Sequence, residues 1–152
     1  MTVFLASYQN GVDRKGRVSV PASFRNEMAA HARQVVVVYV APEGGYLYGW
    51  AYDDFVKLAA QIQRLPALSP TRARLARAIL AAARPLNFDD TGRIGVPEDL
   101  LKQAGITDQA LFAGQGEYFT IWNPERYTAQ QAADASFFES DLQALNELGA
   151  AE

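Results

Sequence analysis

A nine-residue stretch occurs twice in this chain, and that recurrence constrains the fold more than any other feature. Asp13-Arg14-Lys15-Gly16-Arg17-Val18-Ser19-Val20-Pro21 returns 76 residues later as Asp89-Asp90-Thr91-Gly92-Arg93-Ile94-Gly95-Val96-Pro97. Both copies read Asp-x-x-Gly-Arg-aliphatic-x-Val-Pro. The offset is half of the 152-residue chain, so the protein is one small unit written twice.

Each copy dictates a local path. Gly16 and Gly92 stand between extended segments, where a positive φ is cheap only for glycine. Asp13 and Asp89, three residues earlier, can accept backbone N–H groups across the turn. Val18 and Val20, or Ile94 and Val96, then point one way, and Arg17 and Ser19, or Arg93 and Gly95, the other. Pro21 and Pro97 end the strand and can open a helix. The unit is therefore turn, short strand, Pro and helix, with an arginine held off the core face. The helices are expected from Ala22 to about Arg33 and from Glu98 to about Ala104.

The rest of the chain follows the same order twice. Val3 to Gln9 reads as a strand, with Asn10-Gly11 as a tight turn. Gln34 to Val40 is a buried strand, residues 41–45 a turn, and Tyr46 to Trp50 the returning strand. Asp53 is expected to cap a helix reaching about Arg64. In the second half, Ala110 to Gly114, the turn Gln115-Gly116 and Tyr118 to Trp122 repeat this plan, and Asn123-Pro124 opens a helix. Between the halves, Thr71 to Ala83 reads as a helix carrying Arg72, Arg74 and Arg77, with Arg84 beyond. Its arginines suit a solvated face, a phosphate-binding strip, or contact with an acidic neighbouring subunit. Trp50, Trp122, Tyr46, Tyr48, Tyr118 and Phe119 read as core and interface residues of the hairpins.

Net charge is −3, but it is unevenly distributed. Residues 1–87 hold eleven Lys/Arg against five Asp/Glu, and residues 88–152 hold three against twelve. Such asymmetry hints at nucleic-acid contact on the basic side. There is no cysteine, which excludes disulfides, thiolate metal sites and a cysteine nucleophile. His31 is the only histidine and has no ligand-like spacing, so no metal or cofactor is expected. No nucleophile elbow or phosphate loop is present, and no acid–base set can be assembled, so an enzyme is not expected. No stretch is apolar enough to cross a bilayer, and a signal-peptide layout is missing.

Tandem Asp-x-x-Gly-Arg-aliphatic-x-Val-Pro units, aromatic return strands ending in Trp, and a helical spacer resemble the bacterial MraZ proteins. Each half resembles a SpoVT-AbrB-type swapped-hairpin domain, over roughly residues 1–127. The resemblance implies a mainly β fold with helices (α+β), in which two tandem AbrB-like units form one pseudo-dimeric β core. The expected divisions are unit 1 at 1–54, a helical spacer at 55–85, unit 2 at 86–127 and an acidic helix or tail at 128–152. It further implies a cytoplasmic, nucleoid-associated regulator of the division and cell-wall gene cluster. Family members assemble into rings of several subunits. A closed head-to-tail ring points its basic loops at DNA with repeated spacing, so the chain is expected to be a repressor that binds direct repeats in double-stranded DNA as a ring-shaped homo-oligomer, without a membrane or a small-molecule substrate.

The family's DNA-contacting Asp-x-x-x-Arg motif maps onto Asp13 with Arg17 and Asp89 with Arg93. Arg14 and Lys15 cluster with Arg17 around the first turn and Arg25 lies on the helix that follows, as phosphate neutralisation needs, so DNA contact is expected at Arg14, Lys15, Arg17, Arg25 and Arg93. Asp13, Gly16, Pro21, Asp89, Gly92 and Pro97 are expected to shape the motif. The second copy replaces Arg14-Lys15 with Asp90-Thr91, and Glu98-Asp99 follow its proline, so the acidic second half is expected to stay away from the duplex. A different reading makes the chain an antitoxin-like interaction module that grips a basic partner protein with its acidic tail.

Overall fold

The computed structural model describes residues 2–151. Its strands are β1 (Ser7–Gly11), β2 (Arg17–Ser19), β3 (Val35–Val40), β4 (Leu47–Ala51), β5 (Arg84–Asn87), β6 (Arg93–Gly95), β7 (Gln109–Gly114) and β8 (Phe119–Trp122). Its α-helices are α1 (Ala22–Met28), α2 (Tyr52–Ile62), α3 (Pro70–Leu75), α4 (Glu98–Ala104), α5 (Pro124–Asp134) and α6 (Phe138–Ala151). A π turn (Ala76–Leu80) continues α3, and a 3-10 turn (Ala135–Phe137) joins α5 to α6.

Six strands form one antiparallel sheet in the order β1-β7-β8-β4-β3-β5. The order shows the exchange between halves. β1 belongs to the first repeat but pairs with β7 of the second, Ser7 opposite Ala113 and Gly11 opposite Gln109. β5 opens the second repeat but pairs with β3 of the first, Val35 opposite Asn87. The two return strands, β4 and β8, meet at the centre. β2 and β6, the two motif strands, form a separate antiparallel ribbon. The expected α+β fold with a shared pseudo-dimeric core is what the chain adopts.

Both faces of the sheet are covered, which explains why β3 is almost wholly apolar. Val36 and Val38 face the main core with Phe24, Leu47, Ile94 and Phe119, while Val37 and Tyr39 face a second cluster with Trp50 and Phe55. The main core lies under α1, α4 and the β2–β6 ribbon. Four phenylalanines knit it together: Phe4 meets Phe24 and Phe119 edge-on at 5.1 Å, and Phe24 lies 6.5 Å from Phe112. On the other face the repeat symmetry is visible in side chains. Tyr46 stacks on Trp122 at 4.0 Å, and its repeat counterpart Tyr118 stacks on Trp50 at 5.0 Å. Each return strand thus offers its tryptophan to the other half.

Several local expectations change. β1 begins at Ser7 rather than Val3, and Asn10-Gly11 pairs with β7 instead of turning. A tight turn there would serve a hairpin with the next strand, but the partner comes from the other half. Helix α1 stops at Met28, short of Arg33. Asp53 does not cap α2: the cap position is Ala51 and makes no side-chain hydrogen bond. Instead Asp53 sits in the first turn, 3.4 Å from His31 Nδ1. The spacer is not a helix through Ala83. It passes from α3 into the π turn, and Arg84 lies in β5, whose extended path the expected 85/86 boundary cuts.

Pro85 is tolerated in β5 because that strand lies at the sheet edge. Arg84 is not free, since its Nη2 lies 2.6 Å from Asp99 Oδ2. The Asn123 cap forms as expected, its Oδ1 accepting the N–H groups of Glu125 (2.8 Å) and Arg126 (3.2 Å). The segment after it is helical almost throughout, in α5 and α6.

Candidate nucleic-acid interface

The two motif turns are built alike. In the first, Asp13 Oδ1 accepts the backbone N–H of Lys15 and of Arg17, both at 2.9 Å. Its other oxygen, Oδ2, accepts from Arg17 Nε at 2.7 Å. In the second, Asp89 Oδ1 accepts from Thr91 N (2.9 Å), Thr91 Oγ1 (3.0 Å) and Arg93 N (2.9 Å), and Oδ2 accepts from Arg93 Nε at 2.8 Å. Each aspartate therefore closes its turn with one oxygen and aims its arginine with the other.

Those hydrogen bonds favour the ionised carboxylates. Asp13 is held below its ordinary value of 3.8, chiefly by the Arg17 backbone N–H. Asp89 is lowered to about 2, chiefly by the Arg93 backbone N–H and then by the Thr91 backbone and hydroxyl.

The glycines make the turns possible. Gly16 and Gly92 have φ of +80° and +79°. A Cβ on Gly16 would fall 2.7 Å from the Val96 carbonyl oxygen, and one on Gly92 would enter the Arg25 guanidinium. Each turn is thus pressed against the other half. The Val96 N–H donates to Gly16 O at 2.9 Å, and the Val20 N–H to Gly92 O at 3.2 Å.

The ribbon register decides what faces outward. Val18 pairs with Ile94 at its centre, and both are fully buried. Arg17 stands opposite Gly95, and Ser19 opposite Arg93. By strand alternation, Arg17, Ser19, Arg93 and Gly95 share the face turned away from the core. The arginines sit diagonally, with the small Ser19 and Gly95 filling the other two corners. Their side chains keep 39% and 33% exposure. Arg93 Nη1 also reaches Asp13 Oδ2 at 3.8 Å, so Asp13 touches both arginines. Arg17 spends only its Nε and backbone N–H on Asp13; Nη1 and Nη2 make no hydrogen bond among the described residues. Arg14 and Lys15 are exposed on the first turn.

Arg25 has a different place. It crosses to the second turn, where its stem covers Gly92 and its Nη1 lies 3.5 Å from the Thr91 carbonyl, while its Nε is buried without a partner. In the repeat Leu101 occupies the equivalent position and lies over Gly16 in the same way. Arg25 thus packs against the second turn rather than joining Arg14 and Lys15 on the first. Nor does the acidic second turn stand apart: ribbon pairing sets it beside the basic one. The Asp13–Arg93 contact was not read from the sequence. The repeat carried the only signal for it, since two copies of one strand that complete one core are candidates to pair with each other.

A family model described as "MraZ protein, putative antitoxin-like" matches residues 3–78 and again 79–147. The chain belongs to the MraZ family. Among its MraZ relatives, the "Transcriptional regulator MraZ" of Rhodospirillum rubrum is 41% identical over 133 residues, covering 86% of each chain. The protein of that name from Hyphomonas neptunium is 38% identical over 130 residues, 85% of this chain and 78% of the relative. That from Gluconobacter oxydans is 37% identical over 139 residues, 90% of this chain and 85% of the relative. The two successive matches divide the chain within the π turn, so β5 falls with the second MraZ repeat, as its pairing role parallels that of β1.

Proposed function

We propose that this protein is a DNA-binding transcriptional regulator that inserts the β2–β6 ribbon into the major groove. Family membership and the printed names of the relatives support regulation of transcription rather than catalysis. The observation that carries DNA contact is the outward face of the ribbon: Arg17 and Arg93, each aimed by an aspartate, with only Ser19 and Gly95 between them. A two-stranded ribbon fits the major groove, and arginine can donate two hydrogen bonds to guanine O6 and N7. Arg14 and Lys15 supply phosphate contacts beside it. Among the described residues no helix is long and apolar enough to cross a membrane.

The finer reading follows the family resemblance. The protein represses the cluster of genes for division and cell-wall synthesis, in the cytoplasm and on the nucleoid. It assembles as a closed head-to-tail ring, whose repeated ribbons meet direct repeats about 10 bp apart, one helical turn, rather than a palindrome. Multivalency multiplies a modest contact per subunit.

Footprinting and gel-shift assays on the DNA upstream of the protein's own gene test this. Wild type should protect evenly spaced direct repeats, with affinity falling steeply as salt rises. Arg17→Ala should weaken operator binding by on the order of tenfold or more while thermal unfolding is unchanged. Lys15→Ala should weaken binding to all sequences alike and flatten the salt slope by about one per bound subunit. Unchanged affinity in Arg17→Ala, with little response to salt, would remove the assignment.

A further inference from the structure

Two helical segments occupy the same place in the two repeats and carry opposite charge. The first is α3 with its π turn (residues 70–80), which follows α2. The second is α6, which follows α5, the repeat counterpart of α2. Between residues 55 and 88 there are six Lys/Arg and no Asp/Glu; between residues 127 and 151 there are four Asp/Glu and no Lys/Arg.

Lys57 pairs with Asp54 and Arg84 with Asp99, but the charges on the two helical segments are left over. Among the described residues, Arg72, Arg74 and Arg77 have no carboxylate within salt-bridge distance, and Glu139, Asp141 and Glu147 have no cation. Arg74 and Arg77 are exposed.

Both segments also present apolar side chains to solvent. On α6, Phe138 (65% exposed), Leu142 (43%) and Leu145 (62%) fall at helical spacing on one stripe, with Leu148 near its margin. Glu139 and Asp141 flank that stripe. No residue of α6 is buried, so an amphipathic helix of four turns is left without a partner. Beside the arginines, Leu75 is partly exposed and Leu68 almost wholly so. The two surfaces differ, so a contact between them joins unlike faces of two copies and propagates head to tail.

We propose that α6 of one copy docks on α3 and the π turn of the next copy. The apolar stripe of α6 covers Leu75 and Leu68, and Glu139 and Asp141 meet Arg74 and Arg77. This rests on the self-assembly in the reading above and names the surfaces that carry it; it does not depend on DNA contact. A lone helix tail that stayed solvated would leave its apolar stripe in water, and its acidic margins match the arginine face in sign and in placement around an apolar centre.

The test uses the full-length chain, with mass measured by light scattering. Wild type should exceed the 16.7 kDa monomer several-fold. Arg74→Glu with Arg77→Glu, and separately Glu139→Lys with Asp141→Lys, should each shift the mass toward the monomer. All four positions are exposed, so each variant should keep the wild-type far-UV circular dichroism spectrum at about 25 °C, while its melt falls only by what the lost subunit contacts contributed. Leu145→Asp, with a charge set in the stripe, should do the same. Mixing the two charge-reversed proteins, or combining all four changes in one chain, should restore the assembly, because either route makes every contact complementary again. Arg17→Ala should keep wild-type mass, which separates this result from failure of the DNA reading. The proposal is overturned if the paired reversals keep wild-type mass, or if the mixed and combined variants stay monomeric. A wild-type chain that is monomeric alone, and joins only a basic partner of another kind, overturns it as well.

Discussion

At Asp13 and Asp89 one carboxylate, reaching two and four residues ahead, does two jobs. A carboxylate beside exposed basic side chains would repel an anion, yet here its oxygens are already occupied by backbone N–H groups and an arginine Nε. That role was legible from the Asp-x-x-Gly-Arg spacing. Arg25 was not, because helix position says nothing about which turn lies beneath, and the turn beneath belongs to the other repeat. The aspartates also have a pH signature. Asp89 is lowered to about 2 in the fold against an ordinary 3.8. Its ionised form therefore stabilises the fold fully above about 3.8, progressively less as pH falls, and not at all below about 2. Carbon-detected NMR of the carboxyl groups should find Asp89 titrating near 2, with the Arg93 Nε resonance moving in the same step. A midpoint at the ordinary value would show that the turn is not held as described.

Elements were legible where their signals are local. The Asn123-Pro124 start of α5 is such a case: the cap residue and the proline at the first helical position need no tertiary context. Asn123 also ties the helix to the end of α4 by donating Nδ2–H to the Gly105 carbonyl at 2.8 Å. Asn123→Ala should cost about 1 kcal/mol in urea unfolding, with faster amide exchange in the first turn of α5. No loss of stability and unchanged exchange would show that Pro124 alone sets the helix start. β5 was not legible, because Arg-Pro-Leu-Asn lacks the β-branched pattern of a strand. It is extended because β3 offers it an open edge, where a missing N–H does no harm. Pairing with the other half likewise moved the bounds of β1, expected over Val3 to Gln9: its Asn10-Gly11 carries turn chemistry yet is drawn into the ladder by β7.

The whole molecule is held together by exchange between repeats. β1 completes the hairpin of the second half and β5 that of the first, while Val18 and Ile94 close the main core from opposite copies. A single half would leave Phe4, Val36 and Leu47 without their covering partners, all of which are wholly buried in the intact chain. Cleavage in the exposed turn at Leu68 therefore should not yield two independent domains. Fragments 1–67 and 68–152, purified separately, should show no cooperative unfolding as monomers and should regain it when mixed at equal concentration. A monomeric fragment with a sharp melt would disprove the exchange. Assembly of subunits, by the α6 docking proposed above, reuses the same device one level up, with surfaces that are siblings in the repeat.

The sequence alone determined the repeat, the turn and cap chemistry within each copy, the alternation that points one arginine per copy away from the core, and the membership that follows from the tandem motif. These depend on neighbours a few residues apart, where φ preference and hydrogen-bond reach act directly. Only the tertiary structure decided which copy each strand joins, that Asp13 serves both arginines, and that Arg25 lies over Gly92. Those follow from burial of one core shared by two halves, whose free energy is indifferent to the order in which the chain supplies its parts.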